Sequence, residues 1–594
     1  MYILGISCFY HEAAATLIED GRVIAASAEE RFTRKKHDSG FPKMAVDFCL
    51  KKAKIKTSDL DYVVFYEKPF WKFARILLST LASYPNAVRL FAKSMTIWLL
   101  DKLWMRSIIA SELDVKPSKI LFVPHHISHA ASSFYASPFD EAAILTFDGV
   151  GEWTTTTYGK GEGTDLQILE EIKFPHSLGL LYSVFTAFLG FEVNDGEYKV
   201  MGMAPYGKPR YKDAVKKLIK VSKDGSFALN MEYFTFHKSA DKAYSGKFVD
   251  LFGAPRPRDL HFFTKSSGYP SYFGEKPQNW AELCTLNQRY ADIAASIQAF
   301  TEEVILKLAD FVRSRVKSEN LCIGGGVGLN SVANGLLLKK GPFKRVFVQP
   351  AAGDDGGSLG AAMYVYHAIL GKPRKFVQND CYFGADFTDS QIELFLKKNK
   401  IKFAKISSEE KLVEFLASKI AKGKVVGFFH GRAEWGPRAL GSRSILADPR
   451  REEMKDIVNT KIKFREPYRP FAPVVLAEKA KDYFEVGDWE HEHLTKFMLA
   501  VFPVKKNMRK VIPAVTHVDG SGRLQIISAE QNPRYYNIIK KFGQKTGVYV
   551  LLNTSFNLKG EPIVNSPQNA FDTFSKSGLD ILALERYIVR KEDL

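Results

Sequence analysis

The chain has 594 residues, which is too long for one hydrophobic core, so two or more domains are predicted. With 46% hydrophobic and 25% charged residues, its composition is that of an ordinary globular protein. The net charge of +18, from 84 basic and 66 acidic residues, favours anionic ligands such as phosphates. Because the lysines are scattered and form no basic tail, nucleic acid is not expected as a partner.

The cysteines and the first residues indicate the compartment. None of the five cysteines forms a CxxC pair or a metal-binding spacing: Cys8, Cys49, Cys284, Cys322 and Cys381. An odd, scattered set in a chain of this size predicts reduced thiols and a cytoplasmic protein. The start, MYILGISCFYHEAAA, has no basic region typical of a signal peptide and is predicted to be a buried first strand.

Two segments of the first half share one plan. Residues 2–31 contain the apolar runs YILGIS, AAATLIE and RVIAASAE, separated by a turn with His11 and by Asp20-Gly21. Residues 142–172 repeat the order with AAILTFD, TTTTYGKG and LQILEEI. Strand–turn–strand–turn–strand, used twice, is the plan of the actin-like ATPases and sugar kinases, in which two related subdomains face a nucleotide cleft. An unrelated pair of β-meanders is the alternative.

Residues 70–112 are rich in aromatic and basic residues. Charged residues interrupt every apolar run well short of the length that spans a membrane, so no membrane span is predicted. We expect amphipathic helices packed on the domain, and contact with a membrane surface is the alternative.

His125 and His129 lie four residues apart in VPHHISHAASSFY, a segment that reads as a helix. This spacing places both imidazoles on one face, whereas the adjacent His126 is predicted to face elsewhere. Asp148 follows a predicted strand, and a later acidic turn holds Asp354 and Asp355. Two imidazoles with one or two carboxylates would form a mixed site that suits iron, zinc or manganese. An isolated HxxxH is weak evidence, so the prediction rests on the acidic turns at strand ends.

A glycine turn begins the second part of this fold. In NLCIGGGVGLN, a strand over Leu321–Ile323 meets Gly324, Gly325 and Gly326, and a helix is predicted to start near Asn330. Glycines let a ligand approach the backbone, and a helix N-terminus offers free N–H groups to an anion. The spacing matches neither the dinucleotide fingerprint nor a P-loop.

The character of the sequence changes near residue 372. Helix, strand, helix and strand are predicted over DSQIELFLKKN, FAKIS, EEKLVEFLASKIAKG and KVVGFFHG, which indicates a second α/β domain. We therefore predict domains over residues 1–372 and 373–594. The second domain carries basic and amide side chains in turns rich in Gly, Pro and Ser, and these predict a polyanion pocket, with a surface salt-bridge network as the alternative. The candidates are Arg432, Arg438, Arg443, Arg450, Lys461, Lys463, Arg465, Arg469, Arg523, Asn553, Thr554, Ser555 and Asn557.

Motifs along nearly the whole chain resemble the O-carbamoyltransferases of the nodulation and antibiotic-tailoring type, which include the tobramycin, cephalosporin and novobiocin carbamoyltransferases. They are SCFYHEAAATLIEDGRVIAASAEERFTRKKHDSGFP, HHISHAASSFYASPF, NDGEYKVMGMAPYG, GGGVGLNSVANG, PAAGDDGGSLGAA, FHGRAEWGPRALGSRSILADPR, YRPFAPVV and NTSFNLKGEPIV, in the family's order. The resemblance implies an N-terminal actin-like (ASKHA) domain similar to the metal-dependent tRNA threonylcarbamoyltransferases and a C-terminal domain similar to YrdC.

The resemblance also implies two reactions. The C-terminal domain would join carbamoyl phosphate to ATP, accompanied by Mg²⁺, to give carbamoyl adenylate and pyrophosphate. The N-terminal domain would pass the carbamoyl group to a hydroxyl of a small-molecule acceptor and release AMP. The metal in such relatives is iron, Fe²⁺, and the ligands carried over would be His125, His129, Asp148 and Asp354, the acid directly after Gly353. Such a metal can polarise the carbamoyl oxygen.

The resemblance assigns further residues to each site. His11 would lie on the acceptor side, either as general base or as a structural hydrogen-bonding group of its turn, and His125 and Asp148 join it as catalytic candidates. Asp195, Glu197 and Lys199 would shape the acceptor pocket, and Lys36 would neutralise the adenylate phosphate. The remaining candidates bind carbamoyl adenylate (Gly179, Gly326 and Asn330) or carbamoyl phosphate and ATP (Arg438, Arg469, Arg523 and Asn553, then Arg432, Lys463 and Ser555).

Two other functions compete with this one. A tRNA-modifying carbamoyl or threonylcarbamoyl transferase would use the same metal cleft, and a non-catalytic actin-like nucleotide-binding protein would bind ATP without releasing AMP. The sequence does not identify the acceptor, a sugar or another natural product, and it leaves a homodimer open.

Overall fold

The computed structural model describes residues 1–83, 87, 91, 104–239, 241–270, 273–487 and 493–594. The chain divides into two compact units. Unit 1 consists of Met1–Glu29, His37–Ser266 and Asn279–Gln378, and unit 2 of Glu30–Lys36, Ser267–Gln278 and Asn379–Leu594. Two short segments from the first half of the sequence therefore belong to the C-terminal unit.

The first sheet of unit 1 has five strands in the order β3-β2-β1-β4-β5. The strands are β1 (Tyr2–Ser7), β2 (Ala14–Glu19), β3 (Arg22–Ala28), β4 (Tyr62–Phe65) and β5 (Ile120–Phe122). β1 pairs antiparallel with β2 and parallel with β4. The outer pair β2–β3 is antiparallel, and the outer pair β4–β5 is parallel. The apolar run YILGIS lies in the middle of the sheet, and its residues after Tyr2 are buried.

The second sheet repeats this plan with the order β8-β7-β6-β11-β12. Its strands are β6 (Glu141–Phe147), β7 (Thr154–Glu162), β8 (Asp165–Lys173), β11 (Asn320–Gly324) and β12 (Arg345–Val348). Between β8 and β11 in the sequence, β9 (Ile219–Val221) and β10 (Phe227–Leu229) form a separate two-stranded sheet. β6 pairs antiparallel with β7 and parallel with β11, as β1 does with β2 and β4. The predicted duplication and the actin-like fold class are confirmed, because both the strand order and the strand directions repeat.

Helices surround the two sheets of unit 1. They are Lys43–Ala53, Pro69–Ala82, Met105–Leu113, His125–Phe134, Leu178–Phe188, Glu197–Met203, Lys212–Leu218, Gly246–Phe252, Trp280–Arg315, Ser331–Lys340 and Asp354–Tyr364. The helices predicted over residues 70–112 are present at both ends of that range, and the part over 84–86, 88–90 and 92–103 lies outside the described residues. Within the described residues, no helix combines the length and apolarity needed to cross a bilayer.

Two helices of unit 1 pack closely, the histidine helix (His125–Phe134) and the aspartate helix (Asp354–Tyr364). A Cβ on Gly360 would lie 1.7 Å from the Ser128 carbonyl oxygen, and a Cβ on Gly5 would lie 1.8 Å from that of Ser358. Any side chain at these positions would push the aspartate helix away from the histidine helix or from β1. Gly360 and Gly5 therefore let these backbones come together.

Unit 2 contains an eight-stranded mixed sheet in the order β13-β22-β21-β14-β15-β20-β16-β19. The strands are β13 (Ala404–Lys405), β14 (Val426–Phe429), β15 (Arg443–Ala447), β16 (Ala472–Leu476), β19 (Gln525–Ile527), β20 (Val550–Ser555), β21 (Ile581–Leu584) and β22 (Tyr587–Arg590), and β17 (Val501–Pro503) pairs separately with β18 (Ser521–Arg523). Most of its strand pairs are antiparallel. The second α/β domain that the sequence predicts is thus present, with a mixed sheet.

The helices of unit 2 agree with the sequence signals at their starts. Thr388 and Ser408 cap helices Asp389–Lys398 and Glu409–Ala421 through their side chains, as expected for hydroxyl residues before an apolar periodic run. The predicted strand FAKIS is wrong in length, because only Ala404–Lys405 pairs at the sheet edge, where one neighbour is available. The other helices are Glu30–Thr33, Met454–Ile457, Ala480–Tyr483, His493–Lys496, Pro533–Thr546 and Pro567–Ser575.

Candidate metal centre and anion pocket

Four side chains of unit 1 converge on one point. His125, His129, Asp148 and Asp354 each direct one nitrogen or oxygen there, and these atoms all lie within 4.8 Å of one another. His125 Nε2 is 3.0 Å from His129 Nε2 and 3.0 Å from Asp148 Oδ2. Asp354 Oδ1 is 3.7 Å from both imidazole Nε2 atoms. The structure thus brings together the four residues that the resemblance indicates as ligands.

The fold places these side chains at the ends of strands. The histidine helix begins three residues after β5, Asp148 directly follows β6, and Asp354 starts the helix that follows β12. The carboxyl ends of parallel strands are where α/β folds bind ligands. His126, the third histidine of the run, turns away and bonds Thr146 Oγ1 through Nδ1 at 2.6 Å. Its exclusion from the cluster confirms what the helical periodicity predicts.

The donor set fits a divalent transition metal. Two ligand atoms at about 2.1 Å from one ion, at angles of 90–109°, lie about 3.0–3.4 Å apart. The two 3.0 Å separations match this value, and the longer ones, 3.7 and 4.0 Å, correspond to wider angles. Both histidines are fully buried, and among the described residues their Nδ1 atoms have no hydrogen-bond partner. Imidazole and carboxylate together suit iron, zinc or manganese.

The side chains of this cluster shift one another's pKa values. Burial opposes ionisation of Asp148, but the hydrogen bond from His125 and the nearby His129 outweigh it and hold the pKa of Asp148 well below its usual range. Burial likewise lowers the pKa of His125, but the carboxylates of Asp148 and Asp354 raise it to about 9. The ionised carboxylates therefore favour a positive charge at His125, and a metal ion would supply that charge in place of the proton.

Two residues that the sequence did not single out support the histidine helix. Its first N–H groups have no capping side chain of their own, since Pro124 precedes it. The Glu152 carboxylate replaces such a cap by accepting from His125 N at 3.0 and 3.2 Å, and it also accepts from Lys68 N at 2.7 Å. Tyr66 donates its hydroxyl to Asp354 Oδ2 at 3.5 Å. Nothing in the sequence marks either residue, because their role depends on tertiary contact alone.

A polar pocket lies on the His11 side of unit 1. His11 Nδ1 and the Asn194 side-chain amide are 3.2 Å apart. His37 bridges two carboxylates, with Nδ1 3.2 Å from Glu12 Oε1 and Nε2 3.2 Å from Asp195 Oδ1. Sequence reasoning found His11 and Asp195 but missed Glu12, Asn194 and His37.

The NDGEYK segment, with its Asp195, Glu197 and Lys199, forms one wall of this pocket. Glu197 accepts from Ser183 Oγ at 2.9 Å and from Asn194 N at 3.0 Å, so it stabilises the turn. Lys199 Nζ lies 4.0 Å from Asp195 Oδ2.

The backbone of this pocket is strained. Phe9, His37 and Asn194 have positive φ values of 68°, 54° and 69°, in the left-handed region that side chains other than Asn rarely adopt. Such conformations concentrate at functional sites, where the surrounding structure fixes them. Three loops of one pocket share this property.

Two of the three residues expected to hold carbamoyl adenylate, Gly179 and Gly326, lie against Asp148. Gly326 N donates to Asp148 Oδ1 at 3.3 Å, and a Cβ on Gly179 would come within 2.6 Å of the Asp148 carbonyl oxygen. Asn330 caps helix Ser331–Lys340 by accepting from Ala333 N at 3.1 Å. These contacts are structural, and they place both glycines against the Asp148 turn.

Unit 2 has a basic cluster around Lys463, which comprises Lys36, Lys463, Arg465 and Arg469. Lys463 is buried, and its ammonium donates to the carbonyl oxygens of Ser555 and Asn557, both at 2.8 Å, and to the Asn557 side chain. Burial, and then the positive charges of Arg465, Arg469 and Lys36, hold the pKa of Lys463 well below its usual range. A site whose cations disfavour one another suits an anion.

A hydrogen-bond network joins three of the predicted anion-binding segments. Asn553 Nδ2 donates to the Ala439 carbonyl at 3.1 Å and to Gln525 Oε1 at 2.9 Å, and Gln525 Nε2 donates to the Leu440 carbonyl at 3.0 Å. Arg438 adjoins Ala439, and Arg523 is two residues before Gln525. The network therefore ties the backbone segments of Arg438, Arg523 and Asn553 to one another.

Other arginines of this run have structural partners. Arg443 is fully buried, stacks 3.6 Å from the Phe429 ring centroid and donates to the His430, Gly431, Ser442 and Ala385 carbonyls. Arg450 pairs with Asp448 at 2.7 Å. Arg432 donates to the carbonyls of Phe383 and Gly384, and Arg469 pairs with Glu466 at 3.2 Å. Arg443 and Arg450 are thus held by groups of the protein, and for Arg450 the partner is the salt bridge that the alternative interpretation allows.

The duplicated sheets and the cluster of His125, His129, Asp148 and Asp354 define the class: an actin-like α/β protein with a buried group of nitrogen and oxygen donors that could hold a metal ion, and a second α/β unit. Family models for the carbamoyltransferase N-terminus and C-terminus match residues 2–363 and 417–591. The chain belongs to the carbamoyltransferase family, and it is a transferase enzyme.

Several relatives cover most of the chain. An uncharacterized protein of Synechocystis sp., sll1178, is 45% identical over 99% of this chain and 97% of its own length. Nodulation protein NolNO of Sinorhizobium fredii is 36% identical over 98% of this chain and 79% of its own length. Among solved structures, HypF of T. kodakarensis is 16% identical, with a TM-score of 0.31 over 62% of this chain and 48% of that one.

Proposed function

We propose that this enzyme is an ATP-dependent O-carbamoyltransferase that works in two steps, one in each unit. Unit 2, which contains most of residues 373–594, would form carbamoyl adenylate, and unit 1 would transfer its carbamoyl group to a hydroxyl of a small-molecule acceptor. The observation that carries the proposal is the pairing of a buried two-histidine, two-aspartate cluster with a separate basic cluster in a chain of this family.

The first step would take place at the basic cluster. Carbamoyl phosphate loses its phosphate to water and gives carbamate, whose oxygen attacks the α-phosphorus of ATP, so phosphate and pyrophosphate both leave. Arg438, Arg469, Arg523 and Lys463 would hold the phosphoryl oxygens, since guanidinium and ammonium groups bind such oxygens strongly. Asn553 and Ser555 would orient the carbamoyl end, and Mg²⁺ would accompany ATP. Arg432 and Lys36 would add positive charge.

The second step would take place at the metal-ligand cluster. His125, His129, Asp148 and Asp354 would hold a divalent iron ion, which supplies Lewis-acid polarisation of the carbamoyl oxygen when bound. The backbone of Gly179 and Gly326 would lie against the adenylate, with Asn330 fixing the following helix. The acceptor hydroxyl would enter beside His11, Asp195, Glu197 and Lys199, attack the carbamoyl carbon and release AMP.

Whether His11 can accept a proton in this step depends on which of its ring nitrogens carries one. In the present arrangement the Asn194 amide donates to Nδ1, so the neutral imidazole carries its proton on Nε2 and can only donate there. To act as general base through Nε2, His11 needs the Asn194 side chain turned over, so that its oxygen accepts from Nδ1–H. Binding of the acceptor hydroxyl at Nε2 would favour this reversal of the Asn194 amide.

Isotope exchange tests the two-step proposal. Labelled pyrophosphate should enter ATP only when the enzyme is supplied with carbamoyl phosphate, because reversal of the first step needs carbamoyl adenylate. Mass spectrometry with a panel of hydroxylated metabolites should then show the gain of one carbamoyl unit with equimolar AMP. Carbamoylation without any AMP would rule out the adenylate intermediate while leaving the family assignment intact.

A further inference from the structure

Helix Pro69–Ala82 of unit 1 has its polarity reversed. Four large apolar side chains face solvent: Phe70, Trp71, Leu78 and Leu81 are 69%, 52%, 53% and 61% exposed. Its buried residues include Lys72 and Arg75. A helix on the surface of a water-soluble domain ordinarily buries its apolar residues and exposes its charges. The reversal needs a physical reason.

Contacts with the interior of unit 1 hold the buried Lys72 and Arg75 in place. Lys72 pairs with the buried Glu67 at 2.6 Å and lies 3.8 Å from the Tyr10 ring centroid. Arg75 lies 5.0 Å from the Phe174 ring centroid. Breaking such a buried pair by exposing or removing one partner is costly, so the helix cannot rotate to hide its apolar side. The orientation of the helix, and hence the exposure of its apolar residues, is built into the fold.

The exposed residues form one continuous stripe. At about 100° per residue, Phe70, Trp71, Leu78 and Leu81 fall within an arc of about 100°, and Lys72 and Arg75 fall outside it. Trp104, at the start of the next described helix, is 61% exposed as well. Clustered exposed aromatic and aliphatic side chains of this size mark an interaction surface, whereas single ones do not.

Positive charge indicates what covers the stripe. The whole chain carries a net charge of +18. Lys68 lies over the Trp71 ring at 4.5 Å, so an ammonium group adjoins the apolar stripe. An anionic bilayer surface matches both features, since lysines attract its headgroups and Trp, Phe and Leu enter its acyl boundary. A second copy of the chain would bring like charges together.

We propose that the stripe Phe70–Trp71–Leu78–Leu81 docks this enzyme on an anionic lipid surface. Binding lies in the plane of the membrane and requires no spanning helix, and among the described helices none is both long and apolar enough to span. Because Tyr10 contacts Lys72 on the inner side of the same helix and precedes His11, docking brings the acceptor-side pocket close to the membrane. This surface is independent of the two-step chemistry.

Vesicle flotation of the full-length protein tests this proposal. The protein should float with vesicles of phosphatidylglycerol and phosphatidylcholine, and much less with phosphatidylcholine alone. The double variant Leu78→Ser/Leu81→Ser should partition about tenfold more weakly, because the lost apolar area no longer enters the bilayer. Leu394→Ser, at an equally exposed leucine (68%) in unit 2, is the matched control and should float like the wild type.

Three results would overturn the proposal. The wild type could fail to float with anionic vesicles, or the double variant could float as well as Leu394→Ser. Sedimentation velocity could also show a wild-type dimer that Leu78→Ser/Leu81→Ser dissolves without any flotation, which would assign the stripe to a second copy. Unchanged unfolding midpoints of both variants exclude misfolding as the cause of lost binding.

Discussion

The metal-ligand cluster of unit 1 and the basic cluster of unit 2 are both buried, yet they balance charge in opposite ways. In the first, two imidazoles face two carboxylates at 3.0–4.0 Å. In the second, the buried Lys463 has Arg465, Arg469 and Lys36 as charged neighbours. In the first cluster the buried charges have opposite signs and compensate one another in part before anything binds, whereas in the second the cations nearest Lys463 lower its pKa and an anionic ligand would add compensating charge. The comparison predicts a preformed site in unit 1 and an anion-stabilised site in unit 2.

Removing one ligand of the preformed site should have the largest effect. His129→Ala leaves three donors, so metal content and transfer from supplied carbamoyl adenylate should both fall by more than the roughly 10–100-fold typical of outer-sphere changes. Elemental analysis and a transfer assay measure the two quantities. Exchange of pyrophosphate into ATP should be unchanged.

His126→Asn is the matched control for this change, because His126 is equally buried on the same helix but bonds Thr146. It should retain the metal. Full metal content in His129→Ala would contradict the ligand assignment.

Arg438→Ala should impair the first step, which we assign to unit 2. Losing one preorganised cation at a phosphoryl group costs about 10²–10³ in rate. Pyrophosphate exchange should fall by about this factor, and transfer from supplied carbamoyl adenylate should persist. Arg450→Ala is the control, because Arg450 pairs with Asp448 instead. An equal loss of both half-reactions in Arg438→Ala would show that the two units do not divide the chemistry.

The sequence predicted the site where the signal is local. The HxxxH spacing and the acid directly after β6 indicated three of the converging side chains, the family resemblance selected Asp354 over Asp355, and the repeated hairpins predicted the duplicated sheet. The sequence did not reveal Glu152, which lies 27 positions after the first residue of the helix it caps, nor His37 between Glu12 and Asp195. It also could not separate Arg443 from Arg438, because burial of a guanidinium depends on packing that one loop does not encode.

Glu152 offers a smaller test of preorganisation. Glu152→Ala removes the acceptor that caps the histidine helix, at a cost of about 1 kcal/mol for a lost cap, and lets His125 move. Metal affinity should fall about tenfold, as measured by competition with a chelator. Glu152→Gln keeps an acceptor oxygen and should lose less affinity. Equal losses in both variants would assign the effect to the charge of Glu152 and not to capping.

Lys463 tests the anion-stabilised site through pH. Its folded pKa lies below the unfolded value of about 10.4, so between the two values the unfolded chain binds a proton that the folded chain lacks. Stability of the wild type relative to Lys463→Met should therefore rise with pH as the pH increases through that interval. Each kcal/mol corresponds to about 2–4 °C in the unfolding midpoint for a unit of this size.

An added anion should reverse this penalty, because it compensates the charges of Arg465, Arg469 and Lys36 and raises the pKa of Lys463 toward the unfolded value. Pyrophosphate should then stabilise the wild type more than Lys463→Met and flatten the pH dependence of their difference. Scanning calorimetry from neutral to alkaline pH, with and without pyrophosphate, measures both effects. A pH-independent difference that pyrophosphate leaves unchanged would mean that Lys463 is a structural cation satisfied by Ser555 and Asn557, and the contrast between the two sites would lose its electrostatic basis.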